Sequence, residues 1–156
     1  MNHVTPSTTA PPRGVRGWLL ALCLVMTVLG PLISVWLMAA DYDAAAPDFA
    51  GSRAVLAGFV LTAALTGAAV AYGMYAGLRL WAVRPGAVAT AKRALLFGLA
   101  VDVVTAALHA AIGAVAESGW AVRSDLTSAL LTSLIFFAVC FAYLNRSARV
   151  QATYGR

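Results

Sequence analysis

Charged residues are scarce in this sequence. Asp, Glu, Lys and Arg together make up 11% of its 156 residues, whereas an ordinary soluble domain has about a quarter. Hydrophobic residues account for 62%. These proportions exclude a soluble globular domain and are typical of a protein embedded in a membrane.

Cysteine and histidine are scarce as well, with two of each in the chain. Cys23 and Cys140 both lie inside apolar segments, which excludes a disulfide framework and a cysteine-based metal cluster. The sequence also lacks a nucleophile–base pair and a Gly-rich phosphate loop. We therefore expect that the protein is not an enzyme and uses neither a metal nor another cofactor.

What the sequence does contain is long apolar runs. A helix of about 20 residues crosses the hydrocarbon core of a bilayer, and open strands cannot satisfy their backbone groups there. Short linkers between the runs make neighbouring helices antiparallel. We predict an all-α membrane protein, a four-transmembrane-helix antiparallel bundle over residues 18–144. Its predicted spans are residues 18–40, 54–78, 94–116 and 126–144.

The two ends of the chain differ from the spans. Residues 1–17 are rich in Pro, Thr and Ser and show no apolar period, which predicts a disordered tail. Residues 145–156 contain neither Pro nor Gly before Gly155, which predicts a short helical stub after the fourth span.

The cations are distributed unevenly between the two sides of the predicted bundle. One side holds Arg13, Arg16, Arg79, Arg84, Lys92, Arg93, Arg146, Arg149 and Arg156. The other holds only Arg53 and Arg123, together with five of the six acids. Because Lys and Arg near helix ends stay in the cytoplasm, both termini are predicted to be cytoplasmic. Topology thus explains the net charge of +5, and we expect no nucleic-acid partner.

Both ends of the chain resemble one family of bacterial membrane proteins. Gly17 and Trp18 follow a basic tail, and the chain closes with YLNRSARVQATY over residues 143–154. This pattern is similar to domain-of-unknown-function family 2569. The resemblance implies a four-helix protein of the bacterial inner membrane without an established activity. The closing signature falls on Tyr143, Ser147, Arg149, Val150, Thr153 and Tyr154.

The third span carries the most distinctive polar residues. At 100° per residue, Asp102, Thr105 and His109 share one stripe of the helix. An ionisable group near mid-bilayer costs about 2.5–3.5 kcal/mol on insertion scales, so Asp102 is expected to face the bundle. The stripe is either a proton or ion site or a hydrogen-bonded packing device, and the sequence leaves both interpretations open.

The first span contains Gly30-Pro31 near its middle. Proline lacks the N–H that would bond the carbonyl of Thr27, which predicts a kink. Thr27 and Asp102 lie at similar depths, roughly 12–14 Å from the cytoplasmic end at 1.5 Å per residue. We therefore predict that Asp102 faces the Gly30-Pro31 kink and the Thr27 carbonyl.

The second span has a stripe of small residues that includes Gly73 and Gly77. Such pairs let helices approach closely, and we interpret this one as packing within the chain, with self-association as the alternative. The whole pattern favours a small accessory or interaction protein whose partners are the bilayer and another membrane protein or a second copy. The alternative function is an oligomeric proton-linked transporter or channel that uses Asp102 and His109.

Overall fold

The structure, a computed structural model, describes residues 17–116 and 126–154. Of these residues 91% are helical and none is in a strand, which confirms the all-α prediction. The tail predicted over residues 1–17 lies outside the described residues, apart from Gly17. So do residues 117–125 and the last two residues of the predicted stub.

The first apolar run forms one helical segment without a loop. It consists of α1 (Trp18–Leu24), a π-helical turn (Val25–Leu29), α2 (Gly30–Ala45) and a 3-10 turn (Ala46–Asp48). Together they are called the first helix below. The helix continues past residue 40, where the span was predicted to end, because no Gly or Pro interrupts the chain before Pro47.

Four more helices follow: α3 (Arg53–Trp81), α4 (Ala87–Ala116), α5 (Leu126–Arg146) and α6 (Ala148–Tyr154). The Ser52 hydroxyl accepts a hydrogen bond from the amide of Val55 and caps the start of α3. Gly86, with φ of 73°, supplies the left-handed turn that leads into α4.

The helices pack in an antiparallel order, with the first helix on α3, α3 on α4 and α4 on α5. One apolar cluster joins the start of the first helix to the end of α3, the start of α4 and the end of α5. A smaller cluster at the opposite end joins Ala45, Val55 and Ile112. The larger cluster lies at the end of the bundle that carries Arg79 and Lys92, called the cation-rich end below.

Three helices are long and apolar enough to cross a membrane: Trp18–Asp48, Arg53–Trp81 and Ala87–Ala114. Leu130–Arg146 forms a shorter apolar helix. Large apolar side chains cover the outside of the bundle, and Val35 and Trp36 are each 70% exposed. An outer surface of this kind is stable in lipid and not in water, so the chain is a membrane-embedded protein.

Candidate functional site

A cavity of about 190 Å³ lies in the middle of the bundle, between the first helix, α3, α4 and α5. Most of its wall is apolar, and we call it the apolar compartment. Gly30 and Pro31 of the first helix and Asp102 of α4 all line this cavity. The remaining apolar wall includes Val25, Met26, Val70, Leu95, Phe136 and Phe137.

A second cavity of about 500 Å³ adjoins the first and extends away from the cation-rich end. We call it the polar compartment. Ser34, Asp102 and Ser133 line both cavities, so the carboxyl group of Asp102 stands at their junction. Further polar residues of the wall are Asp41, Thr62, Thr66, Thr105, His109, Ser128 and Thr132.

Asp102 has partners on α4 and on α5. Its side chain interacts with the side chain of Ser133 on α5. The Thr105 hydroxyl donates to the backbone carbonyl of Asp102 at 3.1 Å, within the same helix. The predicted stripe of Asp102, Thr105 and His109 therefore lines a single cavity, and Ser133 adds a contact across the bundle.

His109 is buried, with 8% of its surface exposed, and it interacts electrostatically with Asp41 of the first helix. Sequence reasoning missed Asp41 because it placed residue 41 in a loop after a span ending at residue 40. The helical extension to Asp48 instead brings Asp41 into the wall of the polar compartment. A signal for this was the absence of any helix-breaking residue between Pro31 and Pro47.

The structure does not bring Thr27 into this site. Its hydroxyl donates to the Cys23 carbonyl at 2.7 Å, and its methyl group faces Gly77 of α3. The π-helical turn explains why Pro31 does not free the carbonyl of Thr27. In this turn the amide of Gly30 bonds the carbonyl of Val25, five residues earlier. With the same spacing, the amide that Pro31 lacks would have bonded the carbonyl of Met26.

Gly30 is required by the same turn. A Cβ at this position would lie 2.8 Å from the carbonyl oxygen of Val25, and a backbone atom cannot move aside as a side chain can. The kink expected from Pro31 therefore takes the form of a wide π turn just before the proline. In this turn Gly30 packs against the carbonyl of Val25.

Among the described residues, one buried hydroxyl beside the polar compartment has no hydrogen-bond partner. Thr62 is 8% exposed, and its Oγ1 makes no hydrogen bond within residues 17–116 and 126–154. A buried hydroxyl without a partner costs about 1–3 kcal/mol. The oxygen itself is covered by protein, although Thr62 lines the cavity.

The cation-rich end of the bundle is closed by α6, which carries most of the closing signature. The helix after Arg146 is interrupted at Ser147, whose hydroxyl accepts from the amide of Val150. Val150 is 3% exposed and belongs to the larger apolar cluster. Tyr154 donates its hydroxyl to the carbonyl of Leu80 at the end of α3, at 2.6 Å.

The stub therefore folds back onto the bundle, which the sequence analysis did not predict. Burial raises the pKa of Tyr154 to about 12, with the nearby Cys23 and Tyr143 adding to the shift. The phenol consequently stays protonated at neutral pH and acts as a hydrogen-bond donor. Of the other signature residues, Tyr143 packs on the cluster, Thr153 is half-buried, and Arg149 lies within α6.

Two further contacts hold the cation-rich end together. Lys92 of α4 donates to the side-chain oxygen of Asn145 at 2.6 Å. Arg79 donates to Thr90 at 3.2 Å and to the carbonyl of Pro85 at 2.8 Å. At the start of the first helix, Gly17 has φ of 62° and Trp18 is 77% exposed.

Within the described part of the chain, no three His, Cys, Asp or Glu side chains are grouped so as to hold a metal ion. The two compartments instead offer carboxyl groups, an imidazole and hydroxyls beside apolar walls. Small-molecule sites commonly combine apolar walls with a few polar groups in this way.

The chain was compared with known families, curated proteins and solved structures. The family model described as "Protein of unknown function (DUF2569)" matches residues 12–155. No curated protein and no solved structure matches the chain. The matched range covers every helix described above.

Proposed function

Because this chain belongs to the DUF2569 family of proteins of unknown function, we propose its function from its own geometry. It is a four-span protein of the bacterial inner membrane with both termini in the cytoplasm. Its role is that of a small accessory or interaction protein, and it is not an enzyme. Its partners are the bilayer and another membrane protein or a second copy.

The distribution of charge supports this orientation. Arg79, Lys92 and Arg146 lie at the cation-rich end, whereas Asp41 and Asp48 belong to the opposite end of the first helix. Cations near helix ends are retained in the cytoplasm. α5, with 21 residues, has the length of a fourth crossing, since about 20 residues suffice.

Reporter fusions test the orientation. A periplasm-active enzyme fused after Arg156 should be inactive, and the same enzyme inserted after Gly51, in the exposed turn before α3, should be active. A cytoplasm-active reporter at the two positions is the matched control and should give the opposite pattern. Activity of the periplasmic reporter at Arg156 would contradict the proposed topology.

The observation that carries the accessory role is that a packed apolar cluster borders the site at the cation-rich end. Met26 and Leu95 line the apolar compartment and also belong to the packed cluster of the cation-rich end. Cys23, Leu80 and Val150 complete this closure. A single copy thus offers a recess that opens away from the cytoplasm rather than a path across the membrane.

Crosslinking in native membranes tests the accessory role. A photo-crosslinking residue at Trp36, on the exposed face of the first helix, should attach a discrete second protein or a second copy. The same residue at Leu95, buried in the cluster, is the control and should give only internal crosslinks. Crosslinks to lipid alone from several exposed positions would contradict the proposal.

An oligomeric proton-linked transporter or channel is the second candidate. It is favoured by the polar residues that follow one another along the cavity, namely Asp102 with Ser133 and then His109 with Asp41. Transport requires a stable oligomer in mild detergent and proton flux in vesicles that Asp102→Asn abolishes. A strict monomer without flux excludes this candidate and leaves the accessory role.

A further inference from the structure

The two compartments share a charge character that limits what can bind there. Among the described lining residues, Asp41 and Asp102 are the acids, and His109 is the only other ionisable side chain. No Lys or Arg of the described part of the chain lines either compartment. A positively charged group is therefore attracted into the cavity, whereas an anion is repelled by the carboxyl groups.

The shape of the cavity adds a second restriction. The polar compartment of about 500 Å³ holds the hydroxyls and the ionisable groups, and the apolar compartment of about 190 Å³ is lined mainly by aliphatic and aromatic side chains. Asp102 stands between them. An occupant that satisfies both parts has a polar, charged head and an apolar group directly attached to it. Their combined size is that of a typical small-molecule site.

The hydrogen-bonding capacity of Asp102 adds a third restriction. Asp102 lines both compartments, and a carboxylate accepts hydrogen bonds at both of its oxygens. A head group with N–H donors pairs with the Asp102 carboxylate through charge-assisted hydrogen bonds, which a fully alkylated head cannot do.

We infer that the two compartments form one binding site for a protonated amine that bears an apolar group. The ammonium lies in the polar compartment and donates to Asp102. The apolar group lies against Val70 and Phe136, next to the π turn of the first helix. This inference goes beyond the proposed accessory role and does not depend on it, because a site for a small ligand serves either an interaction protein or a transporter.

Four compounds of similar size separate charge from hydrogen bonding. The full-length protein in detergent micelles is titrated with 2-phenylethylammonium, its N-trimethyl analogue, 3-phenylpropan-1-ol and 3-phenylpropanoate, with empty micelles as the blank. We expect the primary ammonium to bind most tightly and to raise the unfolding temperature as its concentration rises. Equal binding of all four, or no binding by any, would overturn the inference.

Two variants with the same change of charge test the position of the head group. Asp102→Asn should weaken binding of the primary ammonium by roughly tenfold or more, because a charge-assisted hydrogen bond is lost. Asp43→Asn, at an exposed position of the first helix that does not line the cavity, should leave binding unchanged. An equal loss in both variants would show a general electrostatic effect and contradict the site.

A further variant keeps the charge of the cavity and keeps the inference testable if Asp102→Asn fails to fold. Gly73 lines the apolar compartment, and a Cβ there would meet no atom within 4 Å. Gly73→Leu therefore places a side chain in the open space of this compartment and should block binding. Full binding by Gly73→Leu would overturn the proposed location.

Discussion

Replacing Gly77 by alanine should separate the first helix from α3 and lower the free energy of unfolding by about 1–3 kcal/mol, the usual cost of overpacking a core. A Cβ at this position would lie 2.5 Å from Cγ2 of Thr27 and 3.1 Å from Cβ of Met26. Neither is the free end of a flexible side chain, so the first helix itself must shift. Unfolding by a denaturing detergent, followed by circular dichroism, measures the effect.

Gly73→Ala is the matched control for this experiment. Gly73 lies one turn earlier on the same helix, and a Cβ there meets open space. The control should be neutral or should stabilise α3 by up to about 1 kcal/mol, because alanine is the better helix former. Thr27→Ser removes the colliding methyl group and should restore much of the stability lost in Gly77→Ala. Equal effects of alanine at both glycines would contradict the close contact.

Replacing Val150 by aspartate should release α6 from the bundle. Val150 is 3% exposed within the apolar cluster, and an unpaired carboxylate placed there costs about 3 kcal/mol or more. The hydrogen bond from Tyr154 to Leu80 should then be lost as well. Hydrogen exchange of the α6 amides measures the release.

Gln151→Asp introduces the same charge at the next, exposed residue of α6. Its amide exchange and its unfolding should remain close to those of the unmodified chain, because the new carboxylate stays in water. Fast exchange in both variants, or in neither, would show that α6 is not held by Val150.

The helices could be predicted from the sequence because length and apolarity alone determine where a chain can cross lipid. The C-terminal end of the first helix could not. Asp41 and Asp43 are polar, and a hydropathy argument places polar residues in a loop even when nothing stops the helix. Since Asp41 is the electrostatic partner of His109, this one misplacement concealed part of the candidate site.

The stripe of Asp102, Thr105 and His109 followed from helical periodicity, which is a local property. Ser133 and Thr62 belong to other helices, and no spacing along one helix shows which residues meet across a bundle. Gly73 and Gly77 illustrate the same limit. The pair has the expected small-residue spacing, yet the structure puts only Gly77 against another helix and leaves Gly73 on a cavity wall.

The end of the chain shows a further limit of sequence reasoning. The absence of Pro and Gly after the fourth span predicted a helical stub, and Ala148–Tyr154 is helical. The sequence did not predict the break at Ser147, which allows Val150 and Tyr154 to reach the bundle. The direction of the stub depends on tertiary packing, which helix propensity along the sequence does not predict.

The π turn of the first helix also acts as a one-residue insertion. In an uninterrupted α-helix, Leu22 and Asp41 would point about 100° apart, whereas one extra residue in a wider turn rotates the second half back by about the same angle. Leu22 therefore faces the packed cluster while Asp41 faces the polar compartment. The first helix can lose one residue within Val25–Leu29 and keep both faces aligned, whereas a loss anywhere in Gly30–Ala45 turns the rest of the helix towards lipid.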